Sequence, residues 1–175
     1  MIALAGTVWG SPRTSHLYAI FKGRYVYFGE TGHVPPVRWK SHLTSQNDFL
    51  GKLYEVDAEE ANSTSPIFFV GIYIPCADSE PESKQKIARR AIEAELHKRF
   101  ELDPTQVTPA QAVLSSPPPS PVRHSFSFNK GEIADSVYRL IAQQYQSWLI
   151  ANSDHCTPTA AASSASRSSS RRATR

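Results

Sequence analysis

The chain has 175 residues and a mass of 19.4 kDa, room for one ordinary domain with accessory segments and too little for two full ones. With 40% hydrophobic and 20% charged residues it has the composition of a globular protein, and no run approaches the roughly 18 consecutive apolar residues that a membrane-spanning helix needs. The two cysteines, Cys76 and Cys156, stand at no zinc or disulfide spacing. The first 15 residues lack a basic residue ahead of their short apolar stretch, unlike a secretory leader, so the expected location is cytoplasmic.

The net charge of +3 is unevenly placed. Ser153 to Arg175 hold four Arg and one Asp, so the excess sits in the tail and residues 1–152 balance to zero. Within that body, residues 13–52 and residues 84–99 each carry six basic and two acidic side chains, whereas residues 53–83 carry seven acidic and no basic ones. Two basic stretches flanking an acidic one suggest a folded body with a positive surface or cleft, or simply a solvated charge pattern.

In chain order, residues 1–15 form an N-terminal segment with a Gly10-Ser11-Pro12 loop. His16 to Glu30 predicts a β-hairpin, with β-branched and aromatic residues flanking Lys22-Gly23. A loop centred there pairs Tyr18 with Tyr27 and Ile20 with Tyr25. It puts these four on one face and Leu17, Ala19, Phe21, Val26 and Phe28 on the other. Val34 to Leu43 predicts a helix, because proline suits a first turn. Its Arg38 and His42, four apart, share a face. Residues 47–57 predict a further helix or turn of helix. Pro66 to Pro75 reads as a buried third strand, and Ser79 to Phe100 switches to helical composition. Residues 103–129 hold six of the thirteen prolines and predict an extended connector, with a short helix at 109–114. Residues 130–152 predict an amphipathic helix whose stripe runs Ile133, Val137, Leu140, Ile141, Tyr145, Trp148, Leu149. That stripe suits docking on the domain or self-association. Residues 153–175 are low in complexity and predict a disordered basic tail.

Five positions carry the chemistry. His16-Leu17-Tyr18 opens the hairpin, Tyr27-Phe28-Gly29 closes it, Arg38 follows Gly29 by nine residues, His42 follows Arg38 by four, and Glu93 lies in the long helix as Ile92-Glu93-Ala94-Glu95-Leu96. In this order and spacing residues 16–102 resemble the GIY-YIG nuclease family, with His16-Leu17-Tyr18 at the first signature and Tyr27-Phe28-Gly29 at the second. A literal Gly71-Ile72-Tyr73 has no such companions and reads as strand composition. The pattern departs from the family in having His16 for the first glycine and in lacking an Asn between Glu93 and Asn129.

The resemblance implies a small α/β domain of the α+β type, a three-stranded antiparallel sheet flanked by helices, with the C-terminal helix as an addition. It also implies a metal-dependent endonuclease hydrolysing DNA. Phosphodiester hydrolysis needs a base near the attacking water, a cation at the phosphate and stabilisation of the leaving oxygen. Glu93 is then the ligand of one Mg²⁺ or Mn²⁺, with Glu95 as the competing carboxylate. Arg38 clamps the phosphate. Tyr18 is the first choice of general base, with Tyr27 orienting water or substrate. His42 orients the nucleophile, contacts phosphate or shuttles a proton. The rival expectation is a catalytically weak or inactive DNA-binding or interaction module on the same fold.

Overall fold

The computed structural model describes residues 13–119 and 124–153. The expected loop at residues 10–12 and the basic tail from residue 154 onward lie outside the described residues. The chain forms β1 (His16–Lys22), β2 (Tyr25–Thr31), α1 (Pro35–Thr44), α2 (Phe49–Val56), α3 (Ala58–Asn62), β3 (Phe68–Tyr73), α4 (Pro75–Asp78), α5 (Glu82–Leu102), a 3₁₀ turn over Pro104–Val107, β4 (Ala112–Val113) and α6 (Lys130–Ala151). The class is mixed α/β. Among the described residues no helix is long and apolar enough to cross a membrane.

The sheet has four strands in the order β3-β1-β2-β4, not three. β1 runs antiparallel to both β2 and β3, and β4 runs parallel to β2, opposite Tyr25 and Val26. The correction arises in the proline-rich segment. In place of a helix at 109–114, the Leu114 N–H donates to the Val26 carbonyl and the Phe28 N–H donates to Ser115 Oγ. This stretch satisfies the first half of the β2 edge, whose backbone groups would otherwise stand unpaired.

The hairpin register differs from the expected one by two residues. Tyr18 lies opposite Gly29, Ile20 opposite Tyr27 and Lys22 opposite Tyr25. The turn is Gly23-Arg24, with Gly23 at φ 53° and Arg24 at negative φ, as a type II′ hairpin turn requires of its first central residue. A one-residue displacement of the loop moves the pairing by two, so each side chain keeps its face.

The two faces are covered differently. Leu17, Ala19, Phe21, Val26 and Phe28 face α5 and α6 and form the main core with Ile92, Leu96, Val137 and Ile141. Phe21 stacks on Tyr145 with ring centroids 3.9 Å apart. The stripe on α6 is thus taken up by the chain's own core, except Leu140, which is exposed. The opposite face carries Tyr18, Ile20 and Tyr25, packed against Phe49 and Leu53 of α2.

Candidate active site

α1 starts with Pro35 and Pro36 at its first two positions, where a missing N–H breaks no helical bond. Its i, i+4 pair then descends toward the sheet: Arg38 stays solvent-exposed and His42 is fully buried. His42 Nε2 lies 2.7 Å from the Tyr18 hydroxyl. The other ring nitrogen, Nδ1, accepts the Phe49 backbone N–H at 3.4 Å, one of the donors that the first turn of α2 leaves unpaired. A backbone N–H only donates, so this contact assigns the imidazole proton to Nε2, which donates to the phenol oxygen. His42 therefore ties the start of α2 to the centre of the sheet. Asp48, 3.7 Å from Nδ1, accepts a hydrogen bond from Ser41 Oγ and lies at the same junction.

Tyr18 is buried, and its ring lies over Gly29. A Cβ on Gly29 would stand 2.4 Å from Tyr18 Cζ and Oη. Only a residue without a side chain permits this approach, which gives the Tyr-x-Gly signature a local physical reason. Tyr27, two residues before Gly29 and on the same face, puts its ring 4.7 Å from that of His42, and the Tyr18 ring is 5.4 Å from it. Lys52 Nζ sits 5.5 Å from the Tyr27 ring centre. The two tyrosines and His42 thus form one aromatic cluster, with Arg38 above it.

The electrostatics oppose one another. Burial is the main cause that raises the pKa of Tyr18. The neighbouring Tyr27 and the Glu93 charge add to it, while Arg38 near the same oxygen favours the phenolate. Tyr27 is raised by burial, then by Asp48 and Glu93, again against Arg38. His42 is pushed down to about 4 by burial, which outweighs the charge of Asp48. It is therefore a neutral imidazole near neutrality.

Glu93 enters from α5, on the far side of the sheet, yet its charge acts on both tyrosines. β4 pairs only with Tyr25 and Val26, so the outer edge of the later half of β2, away from β1, has no strand beside it. Glu93 is 8% exposed. Among the described residues no hydrogen bond or ion pair reaches its carboxylate. Burial and then the Glu30 charge lift its pKa to about 8, against Arg90. The competing carboxylate is differently placed. Glu95 binds Lys98 at 3.0 Å, Arg99 at 3.0 Å and Lys130 at 3.2 Å. Against its burial, Lys98 and Lys130 lower its pKa.

Among the described residues no group of three or more His, Cys, Asp or Glu side chains is arranged for a metal. A hard divalent cation such as Mg²⁺ does not need one, because it keeps waters and uses one or two carboxylates plus substrate phosphates. A buried carboxylate without a partner fits that demand, and Glu93 is such a group where Glu95 is not.

Three of the five expected residues, Tyr18, Tyr27 and His42, therefore meet directly, and Arg38 and Glu93 act on them through their charges. Sequence reading passed over Glu30, Asp48, Lys52 and Arg89. Arg89 stands one helical turn before Glu93, a spacing that was available as a signal. Glu30 follows Gly29 directly and by strand alternation shares the face of Phe28, but its partner Arg89 lies 59 residues away.

No known family, curated protein or solved structure matches the chain.

Proposed function

We propose that the chain is a metal-dependent endonuclease of the GIY-YIG type that hydrolyses DNA phosphodiester bonds. The observation that carries this reading is the buried Tyr18–His42 hydrogen bond beneath Arg38, on the same sheet face as Tyr27 and within the field of a buried, unpartnered Glu93. In this reading Arg38 holds the scissile phosphate. His42 Nε2 donates to Tyr18, orienting its oxygen toward the attacking water and stabilising the phenolate that takes a proton from it. Tyr27 positions that water. Glu93 holds the divalent cation, which supplies Lewis-acid stabilisation of charge on the phosphate oxygens. Once the Glu93 charge is neutralised, one of the causes that raise the Tyr18 pKa disappears.

The test is nicking of supercoiled plasmid by the full chain in Mg²⁺ or Mn²⁺. The parent is expected to nick. Glu93→Gln is expected to lose cleavage by orders of magnitude while binding DNA in metal-free buffer at least as well, because Gln is neutral as the protonated Glu93 carboxyl is and adds no repelling charge. Arg38→Ala is expected to lose rate and affinity together. A parent that binds DNA and cuts none under either metal would favour the second reading, a DNA-binding module on this fold. That reading draws support from the burial that keeps the Tyr18 hydroxyl protonated.

A further inference from the structure

Glu30 is the penultimate residue of β2, and its side chain turns to the α5 side of the sheet. Its Oε2 accepts from Arg89 Nε at 2.7 Å, and among the described residues no other hydrogen bond reaches its carboxylate. Arg89 is itself tied down, with Nη1 donating to the buried Ser15 Oγ at 3.1 Å. Arg89 and Glu93 are one helical turn apart, so both present to the same side of α5. Glu30 lies along that side, and its charge is the strongest one acting on Glu93. Arg89 thus stands beside both carboxylates, bonded to Glu30 at a single oxygen and one helical turn from Glu93, which is buried with no partner among the described residues.

Burying two carboxylates together is costly unless a cation joins them. The Arg89 guanidinium already engages Glu30 and is held away from Glu93 by its bonds to Glu30 and Ser15. We infer that Glu30 and Glu93 together form a divalent-cation site, with Glu30 as the second carboxylate ligand and Arg89 as the residue that positions it. This rests on the proposed function and extends it, since that reading needs Glu93 alone. Two carboxylates suit a hard cation that completes its shell with waters and phosphate oxygens. The charges explain the presence of Arg89. With both carboxylates ionised, they and the guanidinium sum to one negative charge, and a bound divalent cation makes the sum singly positive, which suits an incoming phosphate.

The experiment titrates Mn²⁺ alone into the full chain without DNA, with free Mn²⁺ read by electron paramagnetic resonance, for the parent, Glu30→Gln and Glu93→Gln. Both variants are expected to bind Mn²⁺ about tenfold or more weakly than the parent, with circular dichroism showing each folded. If Glu93→Gln loses binding and Glu30→Gln keeps the parent's affinity, the two-carboxylate site is overturned and the single-ligand reading stands. If Glu93→Gln binds as the parent does, both fall. Should Glu30→Gln fail to fold, carboxyl ¹³C resonances of the parent decide. Mg²⁺ is expected to shift Glu30 and Glu93 together with one apparent affinity and to leave Glu95 unmoved. A Glu30 resonance that stays still overturns the inference.

Discussion

The two faces of the sheet are built from the same hairpin and do opposite work. The face toward α5 and α6 is filled by Leu17, Phe21, Phe28, Ile92 and Ile141, side chains that only pack. The face toward α1 and α2 is also closed, but by Tyr18, Tyr25 and His42, which bury hydroxyls and a ring nitrogen along with their carbon. Buried polar atoms must be bonded, so the second face has fewer acceptable arrangements. The alternation of a strand delivers both, because residues one apart along β1 belong to different interiors. One face is mainly a packing surface, with Glu30, Arg89 and Glu93 as the charged side chains on its side. The other gives up some freedom of packing to hold a phenol, an imidazole and a guanidinium together.

Changes on the packing face should have the largest effects on stability. Phe21→Ala removes a ring stacked on Tyr145 and is expected to cost about 3–5 kcal/mol, read from the urea midpoint. A loss below about 1 kcal/mol would erase the contrast between the faces. Glu93→Gln should move the other way. The folded carboxyl titrates near 8 against 4.5 unfolded, so the folded state holds a proton that the unfolded chain gives up between these values. The stability this contributes is full below pH 4.5 and lost as pH rises through 8. Glu93→Gln is expected to flatten that loss and to be more stable than the parent at pH 9 by roughly 2–4 kcal/mol, by thermal unfolding in metal-free buffer.

Gly29→Ala brings a methyl group against the Tyr18 ring. A cost of about 1–3 kcal/mol is expected, with cleavage lost well beyond what that destabilisation explains. Tyr18→Phe sharpens the comparison most, because it keeps the carbon and removes one hydroxyl. The His42 Nε2–H is left without its acceptor, at a cost of about 1–2 kcal/mol, while the rate should fall about 100-fold or more. A variant equally stable and equally active would show that the pair only packs.

A further expected effect concerns acid, and it treats the faces alike. His42 on one side and His97 on the other are both pushed down to about 4 by burial. Between about 4 and 6.5 the unfolded chain binds the extra protons, so stability falls as pH drops through that window. Replacing either histidine by Gln should shrink the slope, measured as the change of thermal midpoint from pH 7 to pH 4.5.

Side-chain period carried most of the fold into the sequence. The alternation in residues 16–30 assigned both faces of the hairpin, and the spacing of Arg38 and His42 put them on one side of a helix that does run over the tyrosines. The pairing within the hairpin was legible only to the nearest two residues, because Lys22-Gly23 and Gly23-Arg24 are both acceptable loops. β4 escaped notice because two residues amid prolines carry no period at all, and parallel pairing with β2 is a long-range event without a local signature. Of the site, the side chains themselves were legible. Their surroundings were not. What distinguishes the surroundings of Glu95 from those of Glu93 is Lys98, Arg99 and Lys130, the last of which lies 35 residues away from Glu95 and meets it only because α6 folds back on α5.

The stacking of Phe21 on Tyr145 also sets a schedule. The hairpin is among the earliest parts of the chain to leave the ribosome, yet its packing face is closed by the last helix described, and at about 5–20 residues per second the gap between them is on the order of 10 s. Contacts this far apart in sequence form slowly even in the finished chain. The tyrosines, α1 and α2 lie within residues 18–56 and meet much sooner. During synthesis the face that carries the tyrosines and His42 is therefore assembled on a half-finished sheet, and the opposite, packing face is closed only when residues 130–151 arrive.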